Sequence, residues 1–127
     1  DCPDGLSKTV MASEGLVRGA TAGTRFGELG NYWMGGSWGE SLFLTRDAPN
    51  TTVPDVPYQC TNSTTPNAPC AGNTTGGMQQ NYARSGHRDS VNVLTCDGGV
   101  RAVANVIDVT LWQNLGNRAD GKSLGDW

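Results

Sequence analysis

The clearest pattern along the chain is a pair of runs near its C-terminal end. Val91-Asn92-Val93-Leu94-Thr95-Cys96 is rich in β-prone residues, Asp97-Gly98-Gly99 breaks it, and Val100-Arg101-Ala102-Val103-Ala104 resumes it. Two such runs on either side of Asp-Gly predict an antiparallel hairpin. A helical pattern follows. Leu111, Trp112 and Leu115 fall at i, i+1 and i+4, with Asp108 placed to N-cap and Gly116-Asn117 placed to stop the turn. The spacing predicts one short helix over about 108–115. At the other end, Asp4-Gly5 reads as a turn, and Thr9-Val10-Met11-Ala12 as a short strand after one helical turn capped by Asp4. Residues 19–31 read as loop. Tyr32-Trp33-Met34-Gly35-Gly36-Ser37-Trp38 reads as a strand passing a tight bend.

Between these patterned ends lies a polar stretch, about 47–81, that holds five of the six prolines. It is too long for a plain loop in a small domain, so something must pin it. The chain is 127 residues long, enough for one domain, 1–127, with no internal repeat. The fold class expected is mainly β: an antiparallel sheet with long disulfide-stapled loops and the one C-terminal helix.

Composition narrows the functional classes. Eighteen glycines accompany a hydrophobic content of 36%, and charged residues are only 17%, against about 25% in a typical domain. Asn, Thr and Ser fill the gap. Four tryptophans and a net charge of −3 do not fit a charged disordered tail. A pI near 4.9, with cations scattered singly, offers no basic patch for nucleic acid. No apolar run reaches the ~18–20 residues of a membrane span.

The cysteines stand at 2, 60, 70 and 96, without zinc-ligand spacing. An even count in a small chain favours two disulfides over four free thiols. Three connectivities exist. Cys60 and Cys70 flank the Pro/Asn/Thr loop and are joined first, which leaves Cys2 for Cys96. In the chain-entropy model the short loop contributes ~3 kcal/mol and the long one ~5. Asn50, Asn62 and Asn73 begin Asn-x-Ser/Thr sequons in the same stretch and are candidates for glycosylation, with the neighbouring threonines as hydroxyl-linked alternatives. Disulfides and sequons together fit an extracellular surface.

Candidate chemistry is sparse. His87 is the only histidine, so any nucleophile–histidine arrangement must use it; no Gly-x-Ser-x-Gly elbow accompanies it. A histidine at a strand entrance is more often a structural hydrogen-bonder. Nine residues, mostly strand, separate His87 from Asp97, so these two mark the ends of one strand and are no chelate. Asp97, Asp120 and Asp126 lie in Gly/Asn-rich loops and are weak calcium candidates, more readily explained as turn formers. Glu14, Glu28 and Glu40 have nothing in the sequence that pairs them for glycoside chemistry. Tyr32, Trp33, Trp38 and Trp112 could stack on sugar rings, but in a chain with two Phe they are better used as core.

The stretch from His87, through nine residues, to Asp97-Gly98, then Val100-Arg101 and Ile107-Asp108 with Trp112 and Leu115, resembles the C-terminal signature of a planctomycete-type family of prepilin-like proteins of unknown function. Asp4-Gly5-Leu6-Ser7-Lys8-Thr9-Val10-Met11 is similar to that family's Asp-Gly-x-Ser-Asn-Thr segment, and Pro49-Asn50 falls where the family has Pro-Asn. The family's Gly-Gly after the histidine is Asp89-Ser90 here, and its Asp-Gly-Ser turn is Asp97-Gly98-Gly99.

The resemblance implies a pilin-like β head, exported through the envelope, and supplies no activity; the function expected is that of a non-enzymatic structural subunit of a pilus-like filament, with no cofactor. It implies copies of itself as partners, and an N-terminal hydrophobic helix that is either cleaved or supplied as a separate chain. An exposed apolar groove for that helix is expected from Val10, Leu16, Val91, Val93, Leu111 and Leu115. The reading from the residues alone leaves a surface carbohydrate-binding module, using Tyr32, Trp33 and Trp38, as the alternative.

Overall fold

The hairpin forms as the pattern predicts. In the computed structural model, which describes residues 1–18, 42–57, 60, 65–72, 78–122, 124, 125 and 127, β2 spans Ser90–Thr95 and β3 spans Val100–Ala104. They pair antiparallel, with Val91 opposite Val103 and Leu94 opposite Val100. Gly98 takes φ 87° in the turn, a conformation that costs a residue with a Cβ. Asp97 braces the same turn: its carboxylate accepts from Thr95 Oγ1 at 2.5 Å and from the Gly99 N–H at 3.0 Å.

The N-terminal strand β1, Val10–Ser13, adds to the other side of β2, giving the order β1-β2-β3. Its register shifts between Val10 and Ala12, so Met11 is the extra residue of a bulge. One 3-10 turn, Leu6–Lys8, precedes it. Asp4 does not cap that turn, contrary to the expectation from sequence. Gly5 stands at the cap position without a side-chain bond. Asp4 instead accepts the N–H groups of Asp120 and Gly121, at 2.7 and 3.0 Å. The long-range partner wins because the tail returns to this end of the sheet.

Alternation along β2 divides the sheet into two faces. Val91, Val93 and Thr95 are buried, and Val10 and Val103 lie on the same side. Against this face packs α1, Val109–Leu115, whose Trp112 and Leu115 are both 0% exposed. Asp108 caps α1 by accepting the Leu111 N–H at 2.8 Å. At the other end Gly116 is helical, φ −81°, so it is required for space and not for a left-handed turn: a Cβ there would meet Thr45 Cβ at 2.8 Å. Phe43, Ile107, Leu111, Leu124 and Trp127 complete the cluster. Trp127 is held there by Arg101, which lies 4.7 Å from its ring centroid and donates to its carbonyl at 2.9 Å.

Four of the six groove residues are therefore misassigned. Val10, Val91, Val93 and Leu115 are the core itself, and Leu16 and Leu111 are half-buried. The face that sequence reading left for an absent helix is occupied by the chain's own helix and tail.

The polar excursion is held at several points. Cys60 and Cys70 form a disulfide, closing a loop worth about 3 kcal/mol in the chain-entropy model. A second anchor had no signal in the sequence. Asp55 is fully buried between Arg18 and Arg84, and all three side chains are 0% exposed. Arg84 Nε donates to Asp55 at 2.8 Å, and its remaining nitrogens donate to the carbonyls of Thr51, Asn67 and Val53 at 2.7, 3.0 and 2.7 Å. Arg18 also donates to the Ala68 carbonyl at 2.9 Å. The guanidinium fork satisfies backbone acceptors that a buried loop would otherwise leave unpaired. Trp112 and Gln113 of α1 hold the start of the excursion by donating to the carbonyls of Asp47 and Arg46, at 3.0 and 2.8 Å.

Candidate functional site

Where one face of the sheet is sealed, the other is left uncovered by the described residues. Cross-strand pairing puts Ala12, Leu94 and Val100 in one row, Asn92 and Ala102 in the next, and Ser90 with Ala104 beyond. Ala12, Ala102 and Ala104 are exposed, and Val100 is 71% exposed. A shallow cleft of about 250 Å³ runs over Ala12, Leu94 and Val100 and ends at Glu14 and Asn92. The cleft is mainly apolar and the alanines beside it are small, so a backbone or helix can approach it closely.

A polar clasp closes one end of this face. Glu14, directly after β1, reaches across to β2 and accepts both the Asn92 N–H at 2.8 Å and its side-chain amide at 3.0 Å. His87 Nε2 lies 3.3 Å from the Glu14 carboxylate and 3.2 Å from the Asn92 amide. Burial pushes the Glu14 carboxyl upward, but the Asn92 hydrogen bonds and the nearby imidazole outweigh it, and the net result is a carboxyl below its ordinary value. Asp97, at the far end of β2, is also held low by the Thr95 hydroxyl and the Gly99 N–H. His87 and Asp97 thus bracket one strand, each with its own local partners, as their spacing predicted.

Other candidates find structural employment. Asn50, a sequon residue, sits at φ 51°. Its amide donates to Asn105 Oδ1 at 2.9 Å and to the Ser90 carbonyl at 3.3 Å, while its oxygen accepts the Ser85 N–H at 2.8 Å. A sugar on that nitrogen would have to displace these bonds, so Asn50 is an anchor for the Pro49-Asn50 turn and a poor attachment site. Asp120 accepts the Lys122 N–H at 2.9 Å and closes a turn. Among the described residues no group of three or more His, Cys, Asp or Glu side chains could hold a metal ion. Tyr32, Trp33, Trp38, Glu28, Glu40, Asn62, Asn73 and Asp126 lie outside the described residues. Trp112 is core and not a sugar platform.

The second disulfide is not formed in this structure. Cys2 and Cys96 are free, half-buried thiols, and burial, then the neighbouring Cys2 side chain, pushes the Cys96 thiol above its ordinary value.

A small three-stranded sheet with one face packed by α1, one face left uncovered by the described residues and a pinned polar loop defines a mainly β domain. The chain belongs to the family described as a protein of unknown function, DUF1559 (SBP_bac_10), whose model matches residues 1–110. The match covers the whole sheet and the excursion, and it ends just inside α1. No curated protein and no solved structure matches the chain.

Proposed function

We propose that this chain is the non-enzymatic globular head of a pilin-like surface filament, and that the open face of its sheet is the assembly surface. The observation that carries the reading is the asymmetry of the sheet. One face is closed by α1 and the tail, while Ala12, Leu94, Val100, Ala102 and Ala104 form an apolar face of small side chains on the other. Such a patch marks an interaction site more often than a solvated surface. Family membership is compatible with this reading.

The partner that fits is an apolar helix: the N-terminal helix of the subunit, joined to the head or supplied by another chain. Alanines let a helix axis approach, and Leu94 and Val100 supply contact area. The polar excursion, anchored by Arg84 and Asp55, would face solvent in the filament at the outside of the cell.

The test is assembly. Val100→Glu and Ala102→Glu lie on an exposed strand face and should leave the isolated head folded, with an unchanged circular dichroism spectrum. Electron microscopy of cells expressing either variant should show filaments lost. Normal filaments from both variants would remove the open face from assembly, and dispersed particles from the unaltered chain would remove the filament reading altogether.

A further inference from the structure

We propose that Cys2 and Cys96 are a redox-closable pair, which a disulfide oxidant converts into a second intramolecular disulfide tying the N-terminal arm to the end of β2. The pairing is a property of the fold and is independent of the filament reading.

Three hydrogen bonds lead from one cysteine to the other. The Cys96 N–H donates to the Thr9 carbonyl at 2.9 Å, Thr9 Oγ1 donates to the Gly5 carbonyl at 3.1 Å, and the Gly5 N–H donates to the Cys2 carbonyl at 3.0 Å. The arm is held on its other side as well. Arg118 donates to the Asp1 carbonyl at 2.9 Å, and Asp4 receives the N–H groups of Asp120 and Gly121. These backbone bonds, none of which involves sulfur, hold the Cys2 arm against the end of β2 that leads to Cys96, where the Cys2 side chain acts on the Cys96 thiol. Two cysteines on segments tied together in this way can bond once their sulfurs meet in disulfide geometry. Both are half-buried, not sealed, so an external disulfide can reach a sulfur. Cys70, by contrast, is buried and already bonded to Cys60.

The chemistry is a pair of thiol–disulfide exchanges. One thiol loses its proton and attacks a sulfur of the oxidant, a low-molecular-weight or protein disulfide; the oxidant's S–S bond breaks and one oxidant thiolate leaves. The second cysteine then loses its proton and attacks the protein sulfur of the mixed disulfide, expelling the other oxidant thiolate. Two electrons pass to the oxidant, which ends as two thiols, and one S–S bond joins residues 2 and 96. The raised Cys96 thiol is mostly protonated near neutrality, so closure should accelerate as pH rises.

The folded full chain is incubated with oxidised glutathione, quenched with iodoacetamide and digested with trypsin without reduction. The expected product is peptide 1–8 linked to peptide 89–101, at the sum of their masses less two hydrogens and separated by reductant. Cys60 and Cys70 remain joined inside peptide 47–84. Closure of so long a loop should raise the Tm by on the order of 10 °C, and Cys2→Ser should abolish that shift. Carbamidomethyl groups on both Cys2 and Cys96 after oxidation would overturn the proposal. So would an unresolved glutathione adduct, or a bond from either residue to Cys60 or Cys70.

Discussion

Single residues in this chain are specified by contacts that lie far away in sequence. Gly116 is held glycine by Thr45, and Gly116→Ala should lower stability by about 1–3 kcal/mol, the usual cost of overpacking, read as a shift in denaturant midpoint. Asp108 is the opposite case, a local cap. Asp108→Ala should cost about 1 kcal/mol in the same measurement, with α1 retained. Glu14 and Asp97 both have carboxyls below their ordinary values of 4.5 and 3.8. A carboxyl lowered by folding stabilises the native state above its unfolded pKa and loses that contribution as pH falls through the folded one. Stability should therefore be flat from neutrality to about pH 5 and fall below 4.5 and then below 3.8. In Glu14→Gln the first part of that fall should shrink, as thermal melts across pH would show.

At the scale of elements, the hairpin and α1 were legible because their signals are local. Asp-Gly between β-prone runs and Asp108 before an apolar stripe each act within a few residues. The excursion was legible only as something that needs pinning. One pin, Cys60–Cys70, could be read from spacing. The other, Arg18–Asp55–Arg84, could not, since nothing in a sequence distinguishes a buried arginine from a solvated one. Removing one member of a buried charge cluster strands the others. Asp55→Ala should accordingly cost about 3–5 kcal/mol, more than the roughly 3 kcal/mol expected for Cys60→Ser. Urea unfolding of both variants would rank the two anchors, and a larger loss in Cys60→Ser would reverse the order argued here.

Over the whole molecule, the N-terminal arm and the C-terminal tail meet at one end of the sheet. Asp4 takes the tail, Lys8 donates to the Gly125 carbonyl at 2.8 Å, and Trp127 lies over Arg101. This closure seals the core face and leaves Ala12, Leu94, Val100, Ala102 and Ala104 uncovered on the other. Deleting residues 117–127 should expose the core beside Leu115 and Phe43 and increase binding of an apolar dye, whereas Val100→Glu should decrease it. The two outcomes together would confirm which face is core and which is open.

The sequence by itself determined the class of fold, the hairpin and its turn, the capped helix, the first disulfide and the separation of His87 from Asp97. Each of these rests on periodicity or on chemistry between near neighbours. Only the tertiary structure decided which face of the sheet is covered. The same alternating strand fits either a core or a docking groove, because alternation gives two faces and does not say what lies over them. Asp4, Asn50 and Arg84 took roles the sequence did not assign for the same reason: their partners lie between 17 and 117 residues away, where no local pattern records them.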